Sequence, residues 1–107
     1  MRRSSDDATD AVTPIECRHV RVRGHVQGVG FREACIDAAR RRAVTGWVCN
    51  RMDGSVEAML QGTREDLDAL CHWLRDGDTP GLVDRVDIEP IEPPFPRCDR
   101  FERMPTS

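Results

Sequence analysis

The chain has 107 residues, of which 38% are hydrophobic and 33% are charged, and its formal net charge is −3 at pH 7. This length and composition predict one globular domain, and the acidic balance argues against a nucleic-acid partner held through phosphate contacts. The sequence has no apolar run near the roughly 20 residues that span a bilayer. It also has no apolar segment after its two early arginines, so we expect a cytoplasmic protein without a membrane partner.

The basic residues and the cysteines exclude several kinds of chemistry. All 16 basic residues are arginine, so no lysine side chain can form a Schiff base with a substrate. The five cysteines are odd in number and have no Cys-x-x-Cys spacing, which predicts reduced thiols instead of a complete disulfide framework or a zinc site. They are Cys17, Cys35, Cys49, Cys71 and Cys98.

The first part of the chain predicts a tail, a strand and a helix. Residues 1–14 are polar and lack periodicity, and we interpret them as a disordered tail before a domain at residues 15–107. Between Glu16 and Arg23 polar residues alternate with valines, which predicts a strand with one buried face. After a stretch that contains glycines, apolar residues recur on one side of a predicted helix. They are Phe31, Ala34, Cys35, Ala38 and Ala39.

The second part of the chain predicts three or four strands and one helix. VTGWVCNR, residues 44–51, predicts a strand, and an Asp-Gly turn at residues 52–55 leads to another strand at residues 56–60. Thr63 is the expected N-cap of a helix with apolar residues at helical spacing, and Gly77 is its expected left-handed C-terminal residue. Residues 83–91 predict a strand that the prolines of EPPFP end, and residues 100–104 predict a short closing strand.

The order of these elements predicts an α+β fold. The pattern β-α-β-β-α-β is typical of the ferredoxin-like α/β sandwich, in which two helices lie on one face of an antiparallel sheet. The closing segment would add a short fifth strand. The remaining aromatic and histidine positions are given structural interpretations, with Trp47 and Trp73 packed and His19 and His72 solvated.

The stretch GHVQGVGFR, residues 24–32, joins the first strand to the first helix. It lacks the ending of a nucleotide-triphosphate loop, has Glu33 where a dinucleotide loop has its third glycine, and has Val26 where a phosphatase loop has cysteine. Glycines before a helix can still direct backbone N–H groups at an anion, and the planar fork of Arg32 matches a phosphate. From this loop alone, an anion site and a tight turn with a solvated Arg32 remain equally open.

A second stretch, GWVCNRMDGSVEAMLQG at residues 46–62, extends the comparison. Together with GHVQGVGFR it resembles the acylphosphatase family, whose motifs are a glycine followed by V-Q-G-V-x-F-R and a Gly-aromatic pair followed by an asparagine, G-x-V and a later glycine. The resemblance covers residues 17–104. The matching positions are Gly24, Val26, Gln27, Gly28, Val29, Phe31, Arg32, Gly46, Trp47, Asn50, Gly54, Val56 and Gly62.

The resemblance implies hydrolysis of acyl phosphates to a carboxylate and phosphate, without a cofactor or a metal. It implies that Arg32 and the amides of the loop bind the phosphoryl group, and that Asn50 positions the attacking water. The implied loop residues are His25, Val26, Gln27, Gly28, Val29, Gly30 and Phe31. The expected substrate is a small acyl phosphate, phosphate or sulfate should compete with it, and we expect a monomer.

Two positions depart from the family pattern. Cys49 replaces the residue, often basic, that usually precedes the asparagine, and this should change surface charge near the site. Ala43 stands where the family commonly has a glycine that ends the first helix, and an alanine costs about 1 kcal/mol there if the backbone φ is positive.

Two other functions remain open from the sequence. The module could bind an anion such as carbamoyl phosphate without catalysis, although the presence of both Arg32 and Asn50 favours catalysis. A ferredoxin-like RNA-binding module is disfavoured because aromatic residues make up only 5% of the chain, so stacking platforms are scarce.

Overall fold

The computed structural model describes residues 14–106. The predicted tail at residues 1–14 therefore lies outside the described residues, except for Pro14. Within residues 14–106 the elements are β1 (Glu16–His25), α1 (Phe31–Arg41), β2 (Thr45–Asn50), β3 (Val56–Gly62), α2 (Arg64–Asp76), β4 (Leu82–Ile91) and β5 (Phe101–Arg103). No helix in this part of the chain is long and apolar enough to cross a membrane.

The strands form one sheet in the order β4-β1-β3-β2-β5. The pairs β1–β4, β1–β3 and β2–β3 are antiparallel, as predicted. The short strand β5 is also present, but it pairs parallel to β2, so the sheet is mixed instead of fully antiparallel. The physical reason is that residues 92–100 carry the chain from β4 at one edge to the opposite edge, where β5 can join only β2.

The core lies between one face of the sheet and the two helices. Alternate residues of the central strands, including Val20, Val22 and Leu60, are buried against helical residues such as Leu67 and Leu70. This alternation is what a strand with one covered face requires. Of the apolar residues predicted to face inward from α1, Ala34 is only half-buried and the others are buried.

The end of α2 differs from the prediction. Thr63 caps its start as expected, because its side chain accepts a hydrogen bond from the N–H of Asp66 at 3.2 Å. The prediction for Gly77 was wrong: its φ of −82° and ψ of −179° are extended, not left-handed. Glycine fits here because a Cβ on Gly77 would lie 2.5 Å from Cδ1 of Trp73, and the left-handed turn comes later, at Gly81 (φ 79°).

The end of α1 has the left-handed residue that the family comparison suggested. Ala43 has φ 56°, and among residues 14–106 no other residue that is not glycine has a positive φ. The N–H of Val44 donates to the carbonyl of Ala39 at 2.9 Å, and the N–H of Ala43 donates to that of Arg40 at 3.3 Å. This pair of hydrogen bonds defines a Schellman motif with Ala43 at its C′ position.

The face of the sheet opposite the helices carries charged pairs and a crossing segment. His19, predicted to be solvated, is instead half-buried, with its Nε2 2.5 Å from Oε2 of Glu57 on the neighbouring strand. Gln61 is buried and binds residues 92–100 where they cross: its Nε2 donates to the carbonyl of Pro96 at 2.5 Å, and its Oε1 accepts from the N–H of Cys98 at 2.9 Å.

Candidate active site

The topology brings the two sequence motifs to one end of the sheet. β1 ends at His25, and β2 ends at Asn50. Both strands are antiparallel to β3, which lies between them, so they point in the same direction. The loop at residues 26–30 that follows β1 and the turn at residues 51–55 that follows β2 therefore meet at the same end of the sheet. We call them the glycine loop and the β2–β3 turn.

The backbone of the glycine loop needs glycine at two positions. Gly28 has φ 76° and Gly30, the N-cap of α1, has φ 85°, a left-handed conformation that other residues adopt with strain. A Cβ at either position would meet no atom within 4 Å, so backbone conformation and not crowding explains these glycines. The first N–H groups of α1 have no acceptor within the helix, and they are available to an anion at its N-terminus.

Buried side chains anchor the glycine loop at both ends. Val26 and Phe31 are each only 1% exposed and belong to the hydrophobic core. Between them Gln27 spans to the β2–β3 turn, with its Nε2 donating at 2.8 Å to the carbonyls of both Arg51 and Ser55. Gln27 therefore braces the loop, and it joins the two halves of the site through one side chain.

A cavity of about 200 Å³ lies at this junction. It is lined by Val26, Gly28, Gly30, Phe31, Arg32, Glu33 and Asn50. The structure thus brings Arg32 and Asn50 together with most of the glycine loop. His25, Gln27 and Val29 were predicted to belong to the loop, and they flank the cavity without lining it.

The two predicted catalytic side chains differ from their neighbours in their polar contacts. Among the described residues Arg32 is half-buried and forms no ion pair, although it lies at the start of a helix, where a cation is electrostatically unfavourable. The Oδ1 atom of Asn50 is buried and accepts no hydrogen bond from residues 14–106. Since buried polar atoms are nearly always hydrogen-bonded, this oxygen is a candidate acceptor for a molecule bound in the cavity that Asn50 lines.

The β2–β3 turn is held by charged hydrogen bonds. Oδ1 of Asp53 accepts from the N–H and the Oγ of Ser55, at 2.9 Å and 2.6 Å. These hydrogen bonds, together with the charges of Arg21 and Arg23, lower the pKa of Asp53 to about 2. The turn that follows Asn50 therefore has a fixed, negatively charged residue outside the cavity.

The structure places Cys49 away from the cavity. Cys49 is 3% exposed and points to the opposite face of the sheet from Asn50, where its Sγ lies 3.9 Å from Oε1 of Glu57. Burial, with the nearby charge of Glu57, raises the pKa of this thiol. The expected effect of this substitution on surface charge near the site stays a prediction.

Two residues of the site were missed in the sequence. Glu33 lines the cavity, although it was assigned no part in the site from the sequence. Gly81, which precedes β4, lies against the glycine loop, where a Cβ would be 2.2 Å from the carbonyl oxygen of His25. A local pattern could not show either contact, because each depends on how distant parts of the chain pack.

A larger hollow on the sheet gives no comparable site. About 570 Å³ in volume, it lies along β1 and β4. Two of its three arginines are close to carboxylates: Arg23 lies 3.5 Å from Asp53 and 3.7 Å from Asp87, and Arg21 lies 3.6 Å from Asp53. These carboxylates offset part of the positive charge of the hollow.

Residues 14–106 contain no group of three His, Cys, Asp or Glu side chains that could hold a metal ion.

Comparisons with known proteins agree with the resemblance of the motifs. The acylphosphatase family model matches residues 18–103. Over 99 residues the chain is 54% identical to "Acylphosphatase 1" of Ralstonia nicotianae, which covers 92% of this chain and 96% of that one. It is 52% identical over 86 residues to the acylphosphatase of Polaromonas naphthalenivorans, with 80% and 85% of the two chains covered.

Solved structures give the same result for the fold. The acylphosphatase from Coxiella burnetii superposes with a TM-score of 0.77 at 36% identity, over 84% of this chain and 93% of that chain. HypF of T. kodakarensis contains a similar unit, with a TM-score of 0.72 and 30% identity. The match covers 83% of this chain but only 12% of that much longer one.

Proposed function

The chain belongs to the acylphosphatase family and hydrolyses the carboxyl–phosphate bond of small acyl phosphates, and we propose that a water positioned by Asn50 attacks a phosphoryl group held by Arg32 and the glycine loop. The Oδ1 atom of Asn50 carries this proposal, because it is a buried acceptor in the cavity with no partner among the described residues. A water that donates one hydrogen bond to Oδ1 would satisfy this atom.

Backbone and guanidinium groups would bind the phosphoryl group. The start of α1 provides N–H donors and the positive end of the helix dipole. Arg32 adds a planar fork that can donate two parallel hydrogen bonds to phosphoryl oxygens, and these would supply the anionic partner that it lacks among residues 14–106. The cavity of about 200 Å³ suits a phosphoryl group and a water better than a whole nucleotide.

The reaction needs little else from the protein. The leaving group is a carboxylate, which departs without a proton, so no general acid is required. A loose transition state relies on positioning and charge stabilisation, and the proton of the water can pass to a phosphoryl oxygen. An asparagine can orient the water without itself titrating. This division of work uses backbone donors, the Arg32 guanidinium and the Asn50 amide, and it gives no part to the Glu33 carboxylate that also lines the cavity.

A non-catalytic module that binds an anion such as carbamoyl phosphate is the alternative function. It would use Arg32 and the glycine loop in the same way, but it would have no need of an oriented water. The buried Oδ1 of Asn50 therefore favours catalysis over binding alone.

The test compares Asn50→Ala with the wild type on benzoyl phosphate. If Asn50 orients the water, kcat should fall by orders of magnitude while KM and inhibition by phosphate change little, because the interaction is used in the transition state. Asn50→Asp should not restore the rate, since a carboxylate would repel the phosphoryl dianion. Melting temperature is measured on the same preparations.

Gln61→Ala is the matched control, since it also removes a buried amide. Gln61 lies near the other end of β3 and binds the crossing segment, so this variant should lose stability and keep its kcat. A folded Asn50→Ala protein with full turnover would contradict the water-positioning role.

Arg32→Lys tests phosphoryl binding separately. A lysine keeps the charge but loses the two-pronged fork, so phosphate should inhibit less strongly and turnover should fall. Arg85 on β4 is exposed, so Arg85→Lys makes the same type of substitution away from the cavity and should change neither phosphate inhibition nor turnover. Unchanged inhibition in Arg32→Lys would return Arg32 to the role of a surface residue.

The same proposal extends to competing anions, assembly and location. Phosphate and sulfate should compete with substrate for the cavity.

A monomer is supported by the small number of exposed large hydrophobic residues among those described, Met52, Leu82 and Met104, and size-exclusion chromatography with light scattering tests it. A cytoplasmic location is supported by five free cysteines, which suit a reducing compartment.

A further inference from the structure

The cavity contains one acidic side chain that the reaction does not use. Glu33 lines it together with Arg32 and follows Arg32 in the first turn of α1. A carboxylate in a first turn interacts favourably with the helix dipole, but here it also faces a site for a dianionic phosphoryl group. Like charges at this separation repel each other, so Glu33 would weaken binding of the substrate unless its charge were offset.

Arg103 of β5 contacts this carboxylate. Its Nη1 donates a hydrogen bond to Oε2 of Glu33, and the two groups form an ion pair. The pair spans 70 residues of sequence and joins the edge of the sheet to the start of α1. Among the described residues Arg103 is the only cation paired with Glu33.

The backbone of β5 fixes the position of Arg103. Arg103 pairs with Val48, two residues before Asn50, and the N–H of Met104 donates to the carbonyl of Val48 at 2.8 Å. Phe101 is 2% exposed, and its carbonyl accepts from Nη2 of Arg40 at 3.1 Å. The short strand therefore holds its arginine beside the first turn of α1.

We propose that Arg103 is a positioning residue, which holds the Glu33 carboxylate and offsets its charge beside the phosphoryl site. Arg103 touches no substrate atom in this scheme and acts only through Glu33. The inference rests on the proposed function of the cavity. It gives β5, three residues long, a role in substrate affinity in addition to closing the edge of the sheet.

A purely structural role makes a different prediction. The side chains of Arg103 and Glu33 are 53% and 59% exposed, and ion pairs with this exposure contribute little to stability. If the pair only fastened β5 to α1, its loss would lower the melting temperature and leave anion binding unchanged. If Arg103 offsets the charge of Glu33, anion binding changes and stability hardly does.

The experiment measures KM and kcat for benzoyl phosphate, the inhibition constant of inorganic phosphate and the melting temperature in four variants. Arg103→Gln should raise KM and the inhibition constant together by roughly fivefold at low ionic strength, the order of magnitude for losing one unit charge near a dianion in a water-like medium. The effect should fall to about twofold near 0.15 M salt because of screening. The kcat should change less than these two constants.

Three further variants separate charge from structure. Arg103→Lys keeps the charge and should stay near the wild type. Glu33→Gln removes the repulsion at its source and should not raise KM. The double variant Arg103→Gln with Glu33→Gln should return to near the KM of the wild type, because it loses one positive and one negative charge beside the phosphoryl site.

The results distinguish this inference from the proposed function. KM and phosphate inhibition that stay at wild-type values in Arg103→Gln would overturn it, as would a double variant no better than Arg103→Gln. Either result leaves the phosphoryl site intact if Arg32→Lys still weakens phosphate inhibition in the same assay. An Arg32→Lys variant with unchanged inhibition would instead reject the phosphoryl site, and this inference with it.

Discussion

Replacing Ala43 by glycine should stabilise the protein. Ala43 is exposed and occupies the C′ position of the Schellman motif that ends α1, with φ 56°. Because Ala43 is exposed, removing its methyl group should leave no buried cavity. The same methyl group strains the backbone in this left-handed conformation. Glycine adopts the same conformation without that strain.

Two opposing terms set the size of the effect. Removing a side chain from the left-handed region should raise the free energy of unfolding by about 1–2 kcal/mol. Glycine also gives the unfolded chain more conformational freedom, and this lowers the free energy of unfolding by about 0.4–1 kcal/mol. The net stabilisation is about 1 kcal/mol, which corresponds to about 4–8 °C in melting temperature for a domain of this size. The hydrogen bonds of Val44 and Ala43 to the helix end should persist, because both involve only the backbone.

Thermal and urea unfolding of Ala43→Gly and Ala69→Gly measure this difference. Ala69 is also exposed, but it lies inside α2, where the same substitution should destabilise by roughly 0.5–1 kcal/mol. The two variants should therefore shift the melting temperature in opposite directions. The kcat of Ala43→Gly should be unchanged, since Ala43 lies at the far end of an 11-residue helix, about 16 Å from the glycine loop. An Ala43→Gly protein no more stable than the wild type would refute the strain argument.

Three further predictions concern selectivity, metals and pH. The enzyme should cleave acyl phosphates and leave simple alkyl phosphate monoesters nearly untouched, because no general acid assists an alkoxide leaving group; comparable kcat/KM values on both classes would reject this mechanism. Activity should survive exhaustive treatment with EDTA, and a loss restored specifically by Mg²⁺ or Zn²⁺ would mean that a ligand set had been overlooked. Burial opposes the charge of Glu57, but the hydrogen bond from His19 and the nearby arginines outweigh it and lower the pKa of Glu57 from 4.5. The stability that Glu57 contributes is thus present above pH 4.5 and lost as pH falls below it. The free energies of unfolding of the wild type and Glu57→Gln, measured in urea, should therefore converge in acid. A difference that stays constant from neutral pH downward would contradict the assignment.

Much of the fold could be predicted because its signals are local. Alternating valines in β1, the Asp-Gly turn before β3 and the cap at Thr63 each determine a short element through its own residues. The parallel pairing of β5 could not be predicted in this way, because it depends on where residues 92–100 cross the sheet. The extended conformation of Gly77 was missed for a similar reason: the left-handed turn lies instead at Gly81, which packs against His25 from a distant part of the sequence.

Only the residues of the candidate site that belong to the two sequence motifs could be predicted. These residues are glycines, an arginine and an asparagine. The motif gave Arg32 and Asn50, and the structure places both at one cavity. The pairing of His19 with Glu57 and the close approach of Gly81 to His25 involve residues that are far apart in sequence. Such contacts follow from the register of strands, which local patterns do not contain.

The strands explain why so small a site needs support from so much of the chain. The cavity itself uses short stretches after β1 and β2, and three contacts support them. Gly81 lets the start of β4 lie against the glycine loop, Gln27 joins that loop to the β2–β3 turn, and β5 presents Arg103 to Glu33. In the proposed mechanism the groups that act on the substrate are backbone donors, a guanidinium and an amide. The protein could not tune such groups by shifting a protonation state and would instead control where they lie. Supports of this kind act on geometry and on the local field, on which the proposed mechanism depends.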